Sequence, residues 1–144
     1  MEVLKIFNTN DFEKIEKNKN HFLLFNILVI LFISGITFTA VIPNLKGFNL
    51  ATLVVTLGFY ILIGNIFVGI FKNNIGFVFI ISLILTSLGM GWRLWLEWGE
   101  FSLIEHTNVV VIIGYPCILA FIITLIYSVS EKIKTKKIII VNRD

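Results

Sequence analysis

The sequence predicts an all-α integral membrane protein, four transmembrane helices in an up-down bundle with both termini cytoplasmic. Three observations predict it. Of the 144 residues, 57% are hydrophobic and 15% charged, where a soluble domain carries about 25% charged residues. Between His21 and Ser130 the charged side chains are Lys46, Lys72, Arg93, Glu97, Glu100 and Glu105 alone, and the two ends hold the rest. Within that interval lie four apolar stretches of roughly the 20 residues that a bilayer crossing needs.

The chain opens on a polar segment, residues 1–21. Two readings fit it: a short interfacial helix from Asp11, capped by Asn10, with Phe12 and Ile15 against the membrane and Glu13 one turn from Lys17, or a solvated, partly ordered tail. The first span covers about 22–43. It is too long for the apolar core of a cleavable signal peptide and no small-x-small site follows it. Its polar members are Asn26, Ser34, Thr37 and Thr39, with no charge. The second span covers 49–71, after a turn built from Pro43, Asn44 and Gly47. Gly58, Asn65 and Gly69 lie within about 40° of one another on it, a smooth face suited to close helix packing with one amide to bond across the contact. Lys72, Asn73 and Asn74 then form a second tight turn.

The third span, 75–97, carries the most pattern. Ser82, Thr86, Gly89, Arg93, Glu97 and Glu100 fall within an arc of about 80° at helical spacing. Trp92, Trp95 and Trp98 are centred roughly 160° away. Tryptophan favours the head-group interface, so these three are expected to anchor the helix with their rings toward lipid. Ionisable groups inside a span turn toward the bundle or a wet cavity. Two readings of Arg93, Glu97 and Glu100 follow. One is an interfacial anchor reaching the head groups; the other is a small polar site near the outer surface, joined by Glu105 and His106 of the next loop.

The fourth span covers 108–129. Cys117, Ala120, Thr124, Tyr127 and Ser128 share one broad face, and Gly114, Tyr115 and Pro116 predict a kink. Cys117 reads as a small packing residue. The basic tail 130–144 follows, with Lys132, Lys134, Lys136 and Lys137 as a stop signal, and then Ile138, Ile139, Ile140 and Val141, read as a strand-like contact or frayed end.

Orientation follows from the basic residues, because cytoplasmic segments carry the positive excess. With the N-terminus inside, Lys5, Lys14, Lys17, Lys19, Lys72, Lys132, Lys134, Lys136, Lys137 and Arg143 lie inside, ten of the 12 Lys and Arg residues. Only Lys46 lies in an outside loop. Abundant Ile, Phe, Asn and Lys suit an AT-rich genome and a bacterial plasma membrane.

The pattern argues against several chemistries. A nucleophile would need a base beside it, and no Asp or His lies within a span. No phosphate loop, zinc-protease helix or haem ligand pair is present. Glu100, Glu105 and His106 match no compact metal motif, so no metal and no cofactor is expected, and nothing points to nucleic acid. Two functional classes remain. The first is a non-catalytic accessory, regulatory or immunity-type partner of a larger membrane protein. The alternative is a homo-oligomeric channel or carrier whose pathway follows Arg93, Glu97 and the small polar residues below them. A lipid-active enzyme using Glu97 or Glu100 lacks a nucleophile.

Overall fold

The computed structural model describes residues 9–41, 49–96 and 108–143. It holds five helices in these segments: α1 (Thr9–Lys17), α2 (Lys19–Val41), α3 (Leu50–Ile70), α4 (Ile75–Leu96) and α5 (Val109–Val141). The described residues contain no strand. The last four helices are each long and apolar enough to cross a membrane. Their outer surfaces agree with that: Leu24, Phe25, Leu28 and Phe32 on α2, Ile80, Ile84 and Leu88 on α4, and Phe121 and Leu125 on α5 are all exposed. Apolar patches this extensive are foreign to a soluble monomer and natural to a surface that lipid covers. The chain is thus all-α and of a membrane-embedded character.

Two of the helix starts are set by asparagine. Asn49 accepts a hydrogen bond from the Thr52 amide at 3.3 Å, and Asn108 does the same for Val111 at 2.9 Å. Each satisfies a first-turn N–H that the helix itself leaves without a partner. Pro116, where a kink is expected, lies inside α5, which runs on to Val141, well beyond the expected end at 129. Ile138, Ile139, Ile140 and Val141 are therefore helical, not strand-like. Glu131, Lys132, Lys134, Lys136 and Lys137 are good helix formers, so a stretch that marks the end of a span need not end the helix.

The order of helices around the bundle also differs from simple adjacency. α2 packs against α3 and α4, and α5 packs against α3 and α4. α3 and α4, joined by only residues 71–74, stand diagonally across the bundle. Four residues of extended chain reach roughly 13 Å, enough to cross that diagonal. Since successive helices reverse direction, α2 and α4 run parallel, as do α3 and α5. The bundle is two antiparallel hairpins laid side by side.

The core runs along the shared axis, through Ile30 and Phe38 of α2, Ile63 and Phe67 of α3, Val78 and Leu85 of α4, and Leu119 and Ile123 of α5. α1 lies on the end of the bundle near residue 70. Ile15 is buried there and would meet any β-carbon at Gly69 at 2.6 Å. This corrects the expectation that Ile15 faces lipid: the absent side chain of Gly69 leaves a notch in α3, and Ile15 fills it. Asn10 lies inside α1, which begins earlier, at Thr9.

Candidate functional site

The stripe on α4 faces the bundle interior over its described length. Ser82 and Thr86 are fully buried and Gly89 is buried with them. Thr86 donates its hydroxyl to the Ser82 carbonyl at 2.7 Å and lies 3.3 Å from the Pro116 carbonyl of α5. Gly89 meets α2 directly: a β-carbon there would fall on Ser34 Oγ and stand 2.9 Å from the Leu31 carbonyl oxygen. Arg93, half-buried at the end of the stripe, lies with Cζ 5.8 Å from the centroid of the Trp92 ring. Glu97, Glu100, Trp98, Glu105 and His106 lie outside the described residues.

The tryptophans do not share one environment. Trp95 is exposed as expected, at 79%. Trp92 is turned to the protein: its indole Nε1 donates to the Leu31 carbonyl at 2.7 Å, its ring stacks at 5.6 Å from Phe32, and it fills the space over Gly35. This corrects its reading as a lipid-facing anchor. Trp92 and Trp95 stand about 60° apart around the helix, and Trp92 is the nearer to the polar stripe, about 60° from Gly89. The glycine at position 35 leaves room for it.

Other small-residue candidates also separate. Gly69 receives Ile15, whereas a β-carbon on Gly58 would meet nothing within 4 Å. Asn65 is buried but bonds the Ile61 carbonyl of its own helix at 2.9 Å, instead of a neighbour. The close approach between α3 and α5 is made by Gly64, where a β-carbon would meet Ile126 and stand 3.2 Å from the Tyr127 amide nitrogen. Cys117 is exposed, not packed.

A buried hydroxyl cluster joins α2, α3 and α5. Thr37 donates to the Ile33 carbonyl at 2.7 Å, so Tyr60, 2.7 Å from Thr37 Oγ1, is the donor to it. Tyr115 donates to the Ser34 carbonyl. Nearer the other end, Asn26 Nδ2 bonds the Ile63 carbonyl at 3.3 Å. Asn26 Oδ1 and Ser82 Oγ are buried without a hydrogen-bond partner among the described residues.

The end of the bundle that carries the lysines is tied more heavily. In the 71–74 turn, Asn73 adopts φ 55°, a left-handed geometry that asparagine tolerates. Its amide donates to Glu131 at 2.6 Å, and the Asn74 amide donates to the Tyr127 hydroxyl at 3.2 Å. Tyr127 in turn donates to the Phe71 carbonyl at 2.9 Å. Thus two α5 side chains, four residues apart, hold the diagonal turn in place. Lys72 pairs with Glu16 of α1 at 2.5 Å, which holds the Glu16 carboxyl below its usual range. Lys134 lies over the Phe12 ring at 4.8 Å; burial, then the nearby charge of Lys72, push its ammonium below the ordinary lysine value.

Chemically, these arrangements bind helices together. Among the described residues, no three His, Cys, Asp or Glu side chains converge as a metal would require. Thr86 and Gly89 are taken up in contacts between helices, whereas the buried Ser82 hydroxyl has no partner among the described residues. No protein-family model, curated protein or solved structure gives a significant match to this chain. The class is therefore defined by the fold alone, an all-α bundle with four helices of membrane-spanning length.

Proposed function

We propose that the chain is a non-catalytic accessory, regulatory or immunity-type subunit that packs against a larger protein in a bacterial plasma membrane, with both ends of the described fold cytoplasmic. Ten of the 12 basic residues lie on the side so assigned, which supports the orientation. The observation that carries the partner reading is the far end of α5. Past Lys134, which still lies over Phe12 of α1, the helix runs on with its residues exposed, and Ile138, Ile139, Ile140 and Val141 are 45%, 52%, 58% and 70% exposed. β-Branched residues are mediocre helix formers, and a short helix standing free in water is marginal. Four consecutive apolar residues on such a helix gain their stability from whatever covers them. A straight helix carries residue 141 about 18 Å beyond residue 129, at 1.5 Å per residue, past the hydrocarbon layer. Protein is the covering that fits this position.

The test is a photo-crosslinking residue at Ile139 combined with gentle extraction of the tagged chain from its host. The expected result is one crosslinked adduct, a second protein recovered in stoichiometric amount, and loss of both when residues 138–144 are removed. Free monomer alone, or equal recovery after the deletion, would overturn the reading.

A further inference from the structure

A second feature of the same end stands independently of any protein partner. Between the 71–74 turn and α5 lies a notch of about 300 Å³. Lys72, Lys134 and Thr135 line it together with the apolar Val68 and Ile138, and Glu131 stands at its wall. Its position matters as much as its lining. Lys72 follows the last residue of the α3 span by two positions, which sets its ammonium at the level of lipid head groups when α3 crosses a bilayer.

The charge around the notch is strongly one-sided. Among side chains described at this end, Lys14, Lys17, Lys19, Lys72, Lys132, Lys134, Lys136, Lys137 and Arg143 face only Glu13, Glu16 and Glu131 as acids. Two of those acids are engaged. Glu131 accepts the Asn73 amide, and Glu16 takes Lys72 from the α1 side. Lys134 has no ion pair among the described residues; the ring of Phe12 lies beneath it. The notch thus offers two ammoniums near each other at the head-group level, Lys134 without a direct ion pair though Glu16 and Glu131 act on it from nearby.

We propose that this notch is a binding site for the head group of an anionic phospholipid, its phosphate held between Lys134 and Lys72. A basic pocket between helices at the membrane surface is the arrangement that captures such head groups. Lysine serves as a point charge for phosphate. The same chemistry would accept soluble phosphate, but the position of Lys72 two residues past the α3 span, at the level of the head groups, favours the lipid.

The test uses the full chain in nanodiscs of phosphatidylcholine, with or without added phosphatidylglycerol, read by native mass spectrometry and thermal unfolding. The native chain should retain a phosphatidylglycerol molecule through delipidation and unfold at a higher temperature when that lipid is present. Lys72→Ala with Lys134→Ala should abolish both effects. Lys136→Ala with Lys137→Ala, an equal loss of charge outside the notch, should preserve them. Glu16→Gln should also preserve retention, since it breaks the α1 tie while leaving both ammoniums; it guards against a double variant that merely misfolds. Equal loss in the two double lysine variants would reduce the effect to diffuse attraction and overturn the site. Loss in Glu16→Gln would overturn it too. Inorganic phosphate raising the unfolding temperature in phosphatidylcholine discs as much as phosphatidylglycerol does would overturn the lipid assignment.

Discussion

The two parallel helix pairs are built from similar material and end differently. Toward the Arg93 end, α2 and α4 close on each other: Gly35 admits Trp92, and Gly89 brings α4 against Ser34 and Leu31. At the same end α3 and α5 part, leaving a groove of about 220 Å³ lined by Leu53, Leu57, Ile118 and Ile122, with the Tyr60 and Tyr115 side chains also lining it. Toward the lysine end the relation reverses for that pair, since Gly64 receives Ile126. The difference lies in where the glycines fall. With lipid as the outside solvent there is little hydrophobic drive between helices, and van der Waals approach at small residues decides which contacts close. Gly58 shares the face of Gly69, which α1 covers through Ile15 at the lysine end alone, so nothing lies against Gly58.

The comparison can be broken at its glycines. Gly89→Val drives a side chain into the Leu31 backbone and should cost about 1–3 kcal/mol by overpacking, while Gly58→Val should leave the unfolding temperature in detergent unchanged. Equal effects at the two positions would remove glycine placement as the cause. Next in size is Tyr127→Phe, which strips the 71–74 turn of the hydroxyl that bonds Phe71 and Asn74. A loss of about 1 kcal/mol is expected, together with faster proteolysis within the turn. Tyr60→Phe removes one buried interhelical bond and should cost about 0.6 kcal/mol, the average for such bonds in a membrane bundle; a double cycle with Thr37→Val isolates that value.

Two smaller effects sharpen the picture. Ser82→Ala removes a buried oxygen that has no partner among the described residues, so its unfolding temperature should match or exceed that of the native chain. A clear drop would show that Ser82 belongs to a polar site after all. Last is the Glu16 tie. Its carboxyl is held below the ordinary value of 4.5 by Lys72. The contribution is therefore present above that ordinary value and is lost as pH falls through the lower, folded one. Unfolding followed from neutral to acid pH should show this dependence in the native chain and lose it in Glu16→Gln.

Much of the fold was legible because bilayer solvation imposes a long, uniform apolar run on each span. The starts at Asn49 and Asn108 were legible as the polar edges of those runs, and the structure adds that both asparagines cap their helices. Ser82, Thr86 and Gly89 showed their inward direction through helical spacing alone. What was not legible depended on neighbours. A four-residue turn fits adjacent and diagonal helices equally, and the choice is made by Tyr127 and Glu131, more than 50 residues away in the chain. Trp92 faces inward only because residue 35, on another helix, has no side chain. The length of α5 was hidden by lysines that mark the membrane edge and also favour helix. Tyr127 and Glu131 did carry a faint signal: a tyrosine and a glutamate at one-turn spacing, near the end of a span, facing a turn rich in asparagine.

The diagonal turn has a consequence for assembly. α2 with α3, and α4 with α5, are each antiparallel hairpins joined by their own loop, so each can enter a bilayer as a unit before the two meet. The contacts of α2 with α4 and of α3 with α5 then span a long sequence separation, Ser34 with Gly89 and Gly64 with Ile126 among them, and form late. The 71–74 turn is the single link between the halves. A chain stalled before the halves dock would present two glycine-lined faces, each open to the wrong partner.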